Sequence, residues 1–339
     1  MRYFFTRLLL VAAPLLAWQI FELFVLPPNY FTFRPWEDLL VQNHGLFRGP
    51  FYPNQDIEMW AAGDLNPRGH RARHVRFRTD DYGYRNQHPY DPSAPYDFLI
   101  VGDSHFCGAG LHDRNTLAVV LEREYEKKTY NYASGWPQCK SFFTDRRFQA
   151  NPPRYVVLDF RPEDIVYGRY GDFPNGIPTN DSLQAMLCEP LSLWNRVLFL
   201  FTSDRFRIIN DRAAKQLGYN FLRARMSLAL RKQLPGLTVE RAERNLHEFI
   251  DAMVRLQGDL RKRGVKLILL LVPVPYPEGV GDYVAAQLAP KVPMVHWQSN
   301  SPYRGELMVE PWFEENDSHM TKSSVLRSAN RIFELSLGL

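Results

Sequence analysis

Apolar residues along this chain form short continuous runs, and segments with helical patterns separate them. Four strand candidates lie at residues 98–101, 129–132, 151–159 and 265–272; the first is apolar throughout, and the other three also contain polar residues. A short run without alternating polar positions is typical of a strand buried on both faces of a parallel sheet. Before the fourth run, apolar positions from 246 to 260 recur at helical spacing, as on the buried face of an amphipathic helix. The pattern predicts an α/β fold with a mainly parallel sheet.

Weaker patterns complete the predicted architecture. Helices are expected at residues 115–127, 285–288 and 323–335, and a last short strand is expected at 294–297. Strands that alternate with helices in this way predict three layers, α/β/α, with helices on both faces of the sheet. This is the architecture of flavodoxin-like folds, and an antiparallel sandwich would contradict it.

The N-terminus carries the longest apolar segment. Residues 8–26 are apolar apart from Gln19 and Glu22, and two arginines precede them. At about 1.5 Å per helical residue these positions span roughly 28 Å, close to one hydrocarbon core. Residues 1–28 are therefore predicted to be an uncleaved transmembrane anchor. A cleavable signal peptide is the alternative, although its apolar part would be shorter and would end in small residues. The arginines place the N-terminus in the cytoplasm and the remaining chain outside.

Three further segments follow the predicted anchor. Residues 29–95 are rich in proline, glycine and aromatic residues, which indicates an extracytoplasmic linker or N-terminal extension. Within it, Val75 and Phe77 alternate with arginines as in a short exposed strand,. Residues 96–339 form the predicted α/β domain. The stretch at 172–237 is too long for a simple connection and is expected to be a mostly helical insertion.

Composition and charge exclude several classes of protein. The 339 residues are 45% hydrophobic and 23% charged, as in ordinary globular proteins, and the net charge is only +4,. The basic residues are scattered, so a nucleic acid is not an expected partner. The three cysteines lack zinc-ligand spacing, so no metal is expected,. No Gly-rich or hydroxyl-rich phosphate loop is visible, so no cofactor is expected either.

The candidate chemistry begins where the first predicted strand of the sheet ends, at the Gly-Asp-Ser triplet 102–104. The carboxyl end of a parallel strand is the place where open α/β sheets bind ligands. The hydroxyl of Ser104 is a weak nucleophile until a base removes its proton. His319 is the candidate base, and Asp317 is the candidate carboxylate that orients its imidazole. His105 is expected to turn away from the serine and to make local hydrogen bonds.

The Gly-Asp-Ser triplet at 102–104 and the Asp-Ser-His segment at 317–319 resemble two sequence blocks of the SGNH (GDSL-type) hydrolase and acyltransferase superfamily. The resemblance implies a catalytic triad of Ser104, Asp317 and His319. It also implies that the backbone N–H groups of Ser104 and Gly135 bind an oxyanion. At the end of the third predicted strand, members of the superfamily usually have Gly-x-Asn-Asp, whereas this chain has Arg161-Pro-Glu-Asp. The oxyanion-binding asparagine is thus missing, and Arg161 either donates to the oxyanion or forms a solvated ion pair.

The spacing between Asp317 and His319 is two residues, where most SGNH hydrolases have three. This spacing resembles the alginate O-acetyltransferase branch (AlgJ and AlgX), whose members acetylate exopolysaccharides. The resemblance implies an O-acyltransferase on the periplasmic side of the bacterial inner membrane. Its expected partners are a polysaccharide acceptor and a multi-spanning membrane acyltransferase that supplies the acyl group. An SGNH carbohydrate esterase and a non-catalytic anchored protein are the alternatives.

Cys107 follows the Gly-Asp-Ser triplet and Cys139 follows Gly135, at the ends of adjacent predicted strands. In the oxidising compartment predicted for this domain, a disulfide at the rim of the site is one interpretation. Two small buried hydrophobic side chains are the other. Cys188, in the insertion, has no evident partner.

Overall fold

The computed structural model confirms the predicted α/β class, with a five-stranded sheet at its centre. It describes residues 2–24, 39, 49–61, 73–133, 142, 145–168, 238–272, 280–296 and 320–338, so the predicted insertion at 172–237 lies outside the described residues. In chain order the elements are α1 (Arg2–Phe24), β1 (Asp56–Ala61), β2 (Arg73–Arg78), β3 (Phe98–Val101), α2 (Ser104–Cys107), a 3₁₀ turn (Asp113–Asn115), α3 (Leu117–Tyr125), β4 (Thr129–Asn131), α4 (Arg146–Ala150), β5 (Tyr155–Phe160), α5 (Pro162–Val166), α6 (Val239–Arg261), β6 (Lys266–Leu271), α7 (Val280–Leu288), β7 (Met294–Val295) and α8 (Lys322–Gly338).

The order of the strands creates a single point at which the chain changes direction across the sheet. The order is β4-β3-β5-β6-β7, and every neighbouring pair is parallel. From β3 the chain moves to one side to form β4, and it then crosses to the other side for β5, β6 and β7. This is the flavodoxin-like order, and its switch point lies between β3 and β5, where folds of this class bind ligands.

Two separate cores explain why the strands have no polar alternation. Phe98 and Ile100 of β3 enter one core, which includes residues of α3 and α8. Leu99 and Val101 enter the other, which includes residues of α6 and α7. All four side chains are fully buried, and each such burial stabilises the fold by about 1.5–3 kcal/mol,. The structure therefore has the predicted three layers.

The helix boundaries depend on caps that the apolar pattern does not show. Helix α6 begins seven positions before Leu246, the first apolar residue of the predicted face. Its first turn is stabilised by Thr238, whose hydroxyl accepts from the Arg241 N–H at 3.3 Å,. At its other end, Gly264 takes a positive φ of 74°, which favours glycine and lets the chain turn into β6,.

Helix α1 covers residues 8–24 of the apolar run predicted to be an anchor and begins before it, at Arg2. Apolar side chains along this helix, such as Phe4 and Leu10, are exposed. Among the described residues, none of the helices combines the length and the apolar character that a membrane crossing requires. The transmembrane helix predicted within residues 1–28 is therefore not found.

The hairpin β1–β2 corrects the prediction of an exposed strand in a linker. Strand β2 pairs with β1 in antiparallel register, with Val75 opposite Met59. Val75 and Phe77 are buried, and they belong to the same core as Phe98 and Ile100 of β3. The arginine between them, Arg76, is partly exposed and pairs with Asp56. The described part of segment 29–95 is thus packed onto the α/β domain rather than separated from it.

Candidate active site

Ser104 lies at the switch point of the sheet. Strand β3 ends at Val101, and Ser104 is the first residue of the short helix α2. The neighbouring strand β5 pairs with β3 up to Val101 opposite Leu158, so its following residues flank the Gly102–Ser104 turn. The Ser104 residue itself is only partly buried. This is the position that the sequence predicted for the nucleophile, in the crevice at the carboxyl ends of the strands.

Asp103 organises the backbone of the nucleophile turn. Its carboxylate caps helix α2 by accepting the His105 N–H at 2.8 Å, and its carbonyl accepts the Cys107 N–H at 3.0 Å. The amides that follow Ser104 are therefore directed back into the turn rather than toward the crevice. The Ser104 N–H, which the sequence predicts as an oxyanion donor, lies at the start of the same helix,.

Asp159, in strand β5, packs directly against the backbone of the turn. Its Oδ1 accepts the backbone N–H of Asp103 at 3.1 Å. A Cβ atom at position 102 would lie 2.0 Å from this same oxygen, so only glycine leaves room for the carboxyl group. The glycine of the Gly-Asp-Ser triplet is thus required by a side chain that lies 57 positions later in the sequence.

The two carboxyl groups beside Ser104 titrate as a pair. Burial raises the pKa of Asp159 well above its ordinary value, and the charge of Asp103 raises it further. Burial also acts to raise the pKa of Asp103, but the His105 imidazole, the hydrogen bond from Asp159 and the charge of Arg161 lower it below the ordinary value. The proton shared by this pair therefore stays on Asp159, and Asp103 carries the negative charge.

Arg85 supports the loop that follows the nucleophile helix. Its side chain is almost completely buried, and its guanidinium donates to the backbone carbonyls of Cys107, Gly108 and Leu111. It also lies over the ring of Phe77, 4.2 Å from the centroid. Burial lowers its pKa to about 10, which still leaves it charged at neutral pH. A buried cation from segment 29–95 thus holds the loop after Ser104 in place.

Arg161 follows strand β5 and faces the same end of the sheet. Its Nε donates to Oδ2 of Asp164 at 2.6 Å, and Asp164 is buried. Arg161 itself remains about a third exposed, at 32% of its side-chain surface. An ion pair at this position is one of the two interpretations that the sequence offered. The charge of Arg161 nevertheless reaches the nucleophile turn, because it lowers the pKa of Asp103.

The other predicted site residues lie outside the described residues. These are Asp317, His319 and Gly135, so the structure does not test the triad or the second oxyanion donor. The described chain resumes at Met320, which is buried in the core. Thr321 then caps helix α8 by accepting the Ser324 N–H at 3.2 Å.

Two side chains near Ser104 have structural roles. His105 is buried, and it is its backbone N–H, rather than its imidazole, that donates to the Asp103 carboxylate. Cys107 is a free cysteine, and burial raises the pKa of its thiol to about 11. The predicted disulfide to Cys139 is therefore absent at Cys107, which packs as a small buried hydrophobic residue. Cys139 itself lies outside the described residues.

Comparisons with known proteins yield matches in structure alone. No family model matches the chain, and no curated protein matches it. The solved structures it resembles include TesA, at 12% identity and a TM-score of 0.35, covering 70% of this chain and 96% of that one. A lipolytic protein of the G-D-S-L family from Desulfitobacterium hafniense matches at 11% identity and a TM-score of 0.32, covering 70% and 99%. An acylhydrolase from Bacteroides fragilis matches at 12% identity and a TM-score of 0.34, covering 73% and 91%.

These likenesses are low in both identity and TM-score, so the description of the site rests on the geometry of this chain. Two of its residues, Arg85 and Asp159, were not found by sequence reasoning. A signal existed for Asp159, because a carboxyl group inside an otherwise apolar strand needs a buried partner. Arg85 had no such signal, since it lies among other arginines in a segment without a clear pattern.

Proposed function

We propose that this protein transfers acyl groups through an ester intermediate on Ser104. One observation carries the proposal: Ser104 lies at the switch point of a parallel sheet, on a turn that a buried hydrogen-bond network holds in one conformation. A serine held in this way can present its hydroxyl and its own N–H to the same substrate carbonyl. The Gly-Asp-Ser and Asp-x-His blocks, which resemble those of SGNH enzymes, support the same chemistry.

The proposed mechanism has two half-reactions. His319 removes the proton of the Ser104 hydroxyl, and the oxygen attacks the carbonyl carbon of an acyl donor. Asp317 holds the imidazole in the required tautomer and stabilises its charged form. The N–H groups of Ser104 and Gly135 bind the tetrahedral oxyanion. The leaving group departs with the proton from His319, and an acceptor hydroxyl, deprotonated in turn by His319, attacks the acyl-serine and restores the free enzyme.

We propose further that the acceptor is a hydroxyl of an exopolysaccharide or envelope glycan, and that the acyl group is acetyl. The two-residue spacing between Asp317 and His319 and the missing oxyanion asparagine support transfer over hydrolysis. We place the domain on the periplasmic side of the inner membrane, attached through the N-terminal segment. The arginines before the apolar run and the exposed apolar side chains of α1 support this placement,. Recovery of the protein in the soluble periplasmic fraction would contradict it.

The test of transfer uses a chromogenic acetyl ester with and without an oligosaccharide acceptor. For a transferase, we expect acetylated oligosaccharide as a product and a release rate that depends on acceptor concentration in a ping-pong pattern. If free acetate is the only product, at a rate unaffected by any acceptor, the protein is an esterase. If neither product forms, and a Ser104→Ala protein still supports polymer acetylation in cells, the protein is a non-catalytic partner.

Arg161 is expected to assist the proposed reaction by stabilising negative charge at the switch point. Replacing it by alanine should lower the rate of ester cleavage about 10- to 1000-fold if it acts on the oxyanion. The same change also leaves the buried carboxylate of Asp164 without this cation. The double variant Arg161→Ala, Asp164→Asn removes that unpaired charge and is the control. If the double variant recovers the wild-type rate, Arg161 serves only the ion pair.

A further inference from the structure

We propose that the Asp159 carboxyl group donates a hydrogen bond to the Asp103 carboxylate and thereby positions Ser104 for reaction. Asp159 does not itself contact the reacting atoms in this proposal. It acts through Asp103, the residue whose carboxylate caps the nucleophile helix. The catalytic consequence rests on the function proposed above, whereas the hydrogen bond between the two side chains can be tested independently of any activity.

The first support is the close approach of strand β5 to the nucleophile turn. Asp159 is 1% exposed, and its Oδ1 accepts the Asp103 N–H at 3.1 Å. The absence of a side chain at Gly102 makes this approach possible, since a Cβ there would lie within 3.0 Å of both carboxyl oxygens. A carboxyl group in this position contacts the backbone of the turn, and it is near enough to the Asp103 side chain to lower the pKa of that carboxyl group.

The second support comes from counting the hydrogen bonds of the two Asp159 oxygens. Oδ1 has a donor in the backbone of Asp103. Oδ2 is buried and has no donor in hydrogen-bonding geometry among the described residues. The Phe106 N–H interacts with the carboxyl group and acts to lower its pKa, but it does not complete a hydrogen bond to Oδ2. An ionised oxygen without a donor would be costly in this environment, whereas a protonated oxygen needs only an acceptor. The Asp103 carboxylate is the acceptor we assign, because it lies on the turn that Asp159 contacts and its interaction with Asp159 raises the pKa of Asp159.

The charges around the pair favour one proton between the two groups. His105 and Arg161 both stabilise the ionised form of Asp103. The Phe106 N–H acts to lower the pKa of Asp159, but burial outweighs it. The pKa of Asp159 therefore remains well above the ordinary value. Cys107 lies close enough for both carboxyl groups to affect it, and its own raised pKa keeps that thiol neutral.

The consequence for the site is a fixed orientation of the Asp103 side chain. The carboxylate must accept the His105 N–H to cap helix α2, and a hydrogen bond from Asp159 restricts it to the rotamer that does so. If Asp159 lost its proton, two like charges would face each other and the cap would be displaced. The Ser104 N–H and hydroxyl would then lose the geometry that the reaction needs.

The experiment compares Asp159→Asn with Asp159→Leu in the otherwise intact protein. Asparagine keeps both a donor and an acceptor at nearly the same positions, whereas leucine has a similar size and neither. The readout is the second-order rate at which a fluorophosphonate probe labels Ser104, together with kcat and KM for a chromogenic acetyl ester. We expect Asp159→Leu to lower the labelling rate and kcat about 100-fold with little change in KM. Asp159→Asn should restore the labelling rate to within about threefold of wild type, because an amide can replace a protonated carboxyl group.

A second measurement tests the hydrogen bond without reference to activity. The unfolded chain releases the Asp159 proton near the ordinary pKa of about 3.9, whereas the folded protein retains it. The wild-type urea midpoint should therefore fall relative to that of Asp159→Asn as the pH rises above this value. The asparagine variant has no proton to release at this position, and the other titrating groups are common to both proteins.

Three outcomes would overturn the proposal. The first is a midpoint difference between wild type and Asp159→Asn that does not change with pH, because Asp159 would then be ionised in the folded protein. The second is an Asp159→Asn variant as slow as Asp159→Leu. The third is a folded Asp159→Leu variant, with a near-native circular dichroism spectrum, that labels at the wild-type rate. If the wild-type protein itself is not labelled, the proposed function and the positioning role both fail, while the pH dependence still decides the hydrogen bond.

Discussion

Replacing Ser104 by alanine is expected to abolish ester cleavage, with a loss of about 10⁴- to 10⁶-fold in kcat. The proposed mechanism allows no acyl intermediate without the serine oxygen. His319→Ala should have an effect of similar size, because an unactivated hydroxyl reacts little better than water. The double variant should be no slower than either single variant, since nucleophile and base act as one unit. The measurement is steady-state cleavage of a chromogenic acetyl ester by each purified protein.

Matched controls are available on the surface of the same domain. Ser93 is exposed and hydrogen-bonds only within its own turn, to Asp91. His247 is exposed on helix α6. Ser93→Ala and His247→Ala should leave the rate unchanged. If Ser104→Ala retains more than about a tenth of the wild-type rate, the reaction does not use a serine nucleophile.

Replacing Arg85 by methionine should destabilise the protein by about 3–5 kcal/mol. Methionine can fill the apolar part of the site, but it leaves the carbonyls of Cys107 and Leu111 without their donor, while the Gly108 carbonyl keeps the Leu111 N–H. Each buried carbonyl without a partner costs about 1–3 kcal/mol, and the packing of methionine offsets only part of this. Arg85→Lys should recover part of the stability, because one ammonium cannot reach all the carbonyls. Urea unfolding followed by circular dichroism measures these differences.

Arg76→Met is the matched control for this prediction. Arg76 lies on the neighbouring hairpin and pairs with Asp56 on an exposed surface, so its loss should change the urea midpoint little,. An Arg85→Met variant that unfolds at the wild-type urea concentration would show that the buried guanidinium is not needed to hold the loop. A variant that cannot be obtained folded would agree with the prediction, provided that Arg76→Met folds normally.

The elements of the sheet were predictable because each one is encoded locally. The run at β3 matches Phe98–Val101 in both bounds. The third strand was predicted to begin at residue 151, whereas β5 begins at Tyr155. The difference arises at a proline pair, Pro152 and Pro153, which cannot donate to a sheet ladder,. Patterns of this kind report burial, and burial on both faces is what a central parallel strand experiences.

The hairpin and the packing of segment 29–95 were not predictable in the same way. Val75 and Phe77 alternate with arginines as an exposed strand would. Their burial depends on where the hairpin docks. An alternating pattern shows that the hairpin has one apolar face, but not whether that face packs against surface loops or against the main core. The role of Arg85 follows from this docking, because its guanidinium reaches the nucleophile loop only when the hairpin lies against the domain.

The sequence by itself determined the class of fold and the position of Ser104 after the first strand of the sheet. Those conclusions depend on residues that are close together in the chain, where strand ends and turns are set by local apolar patterns. Only the tertiary structure decided that Asp159 contacts the Gly102–Ser104 turn and that Arg85 holds the loop after helix α2. These contacts join residues far apart in the chain, and they depend on strand order and on space at single positions such as Gly102.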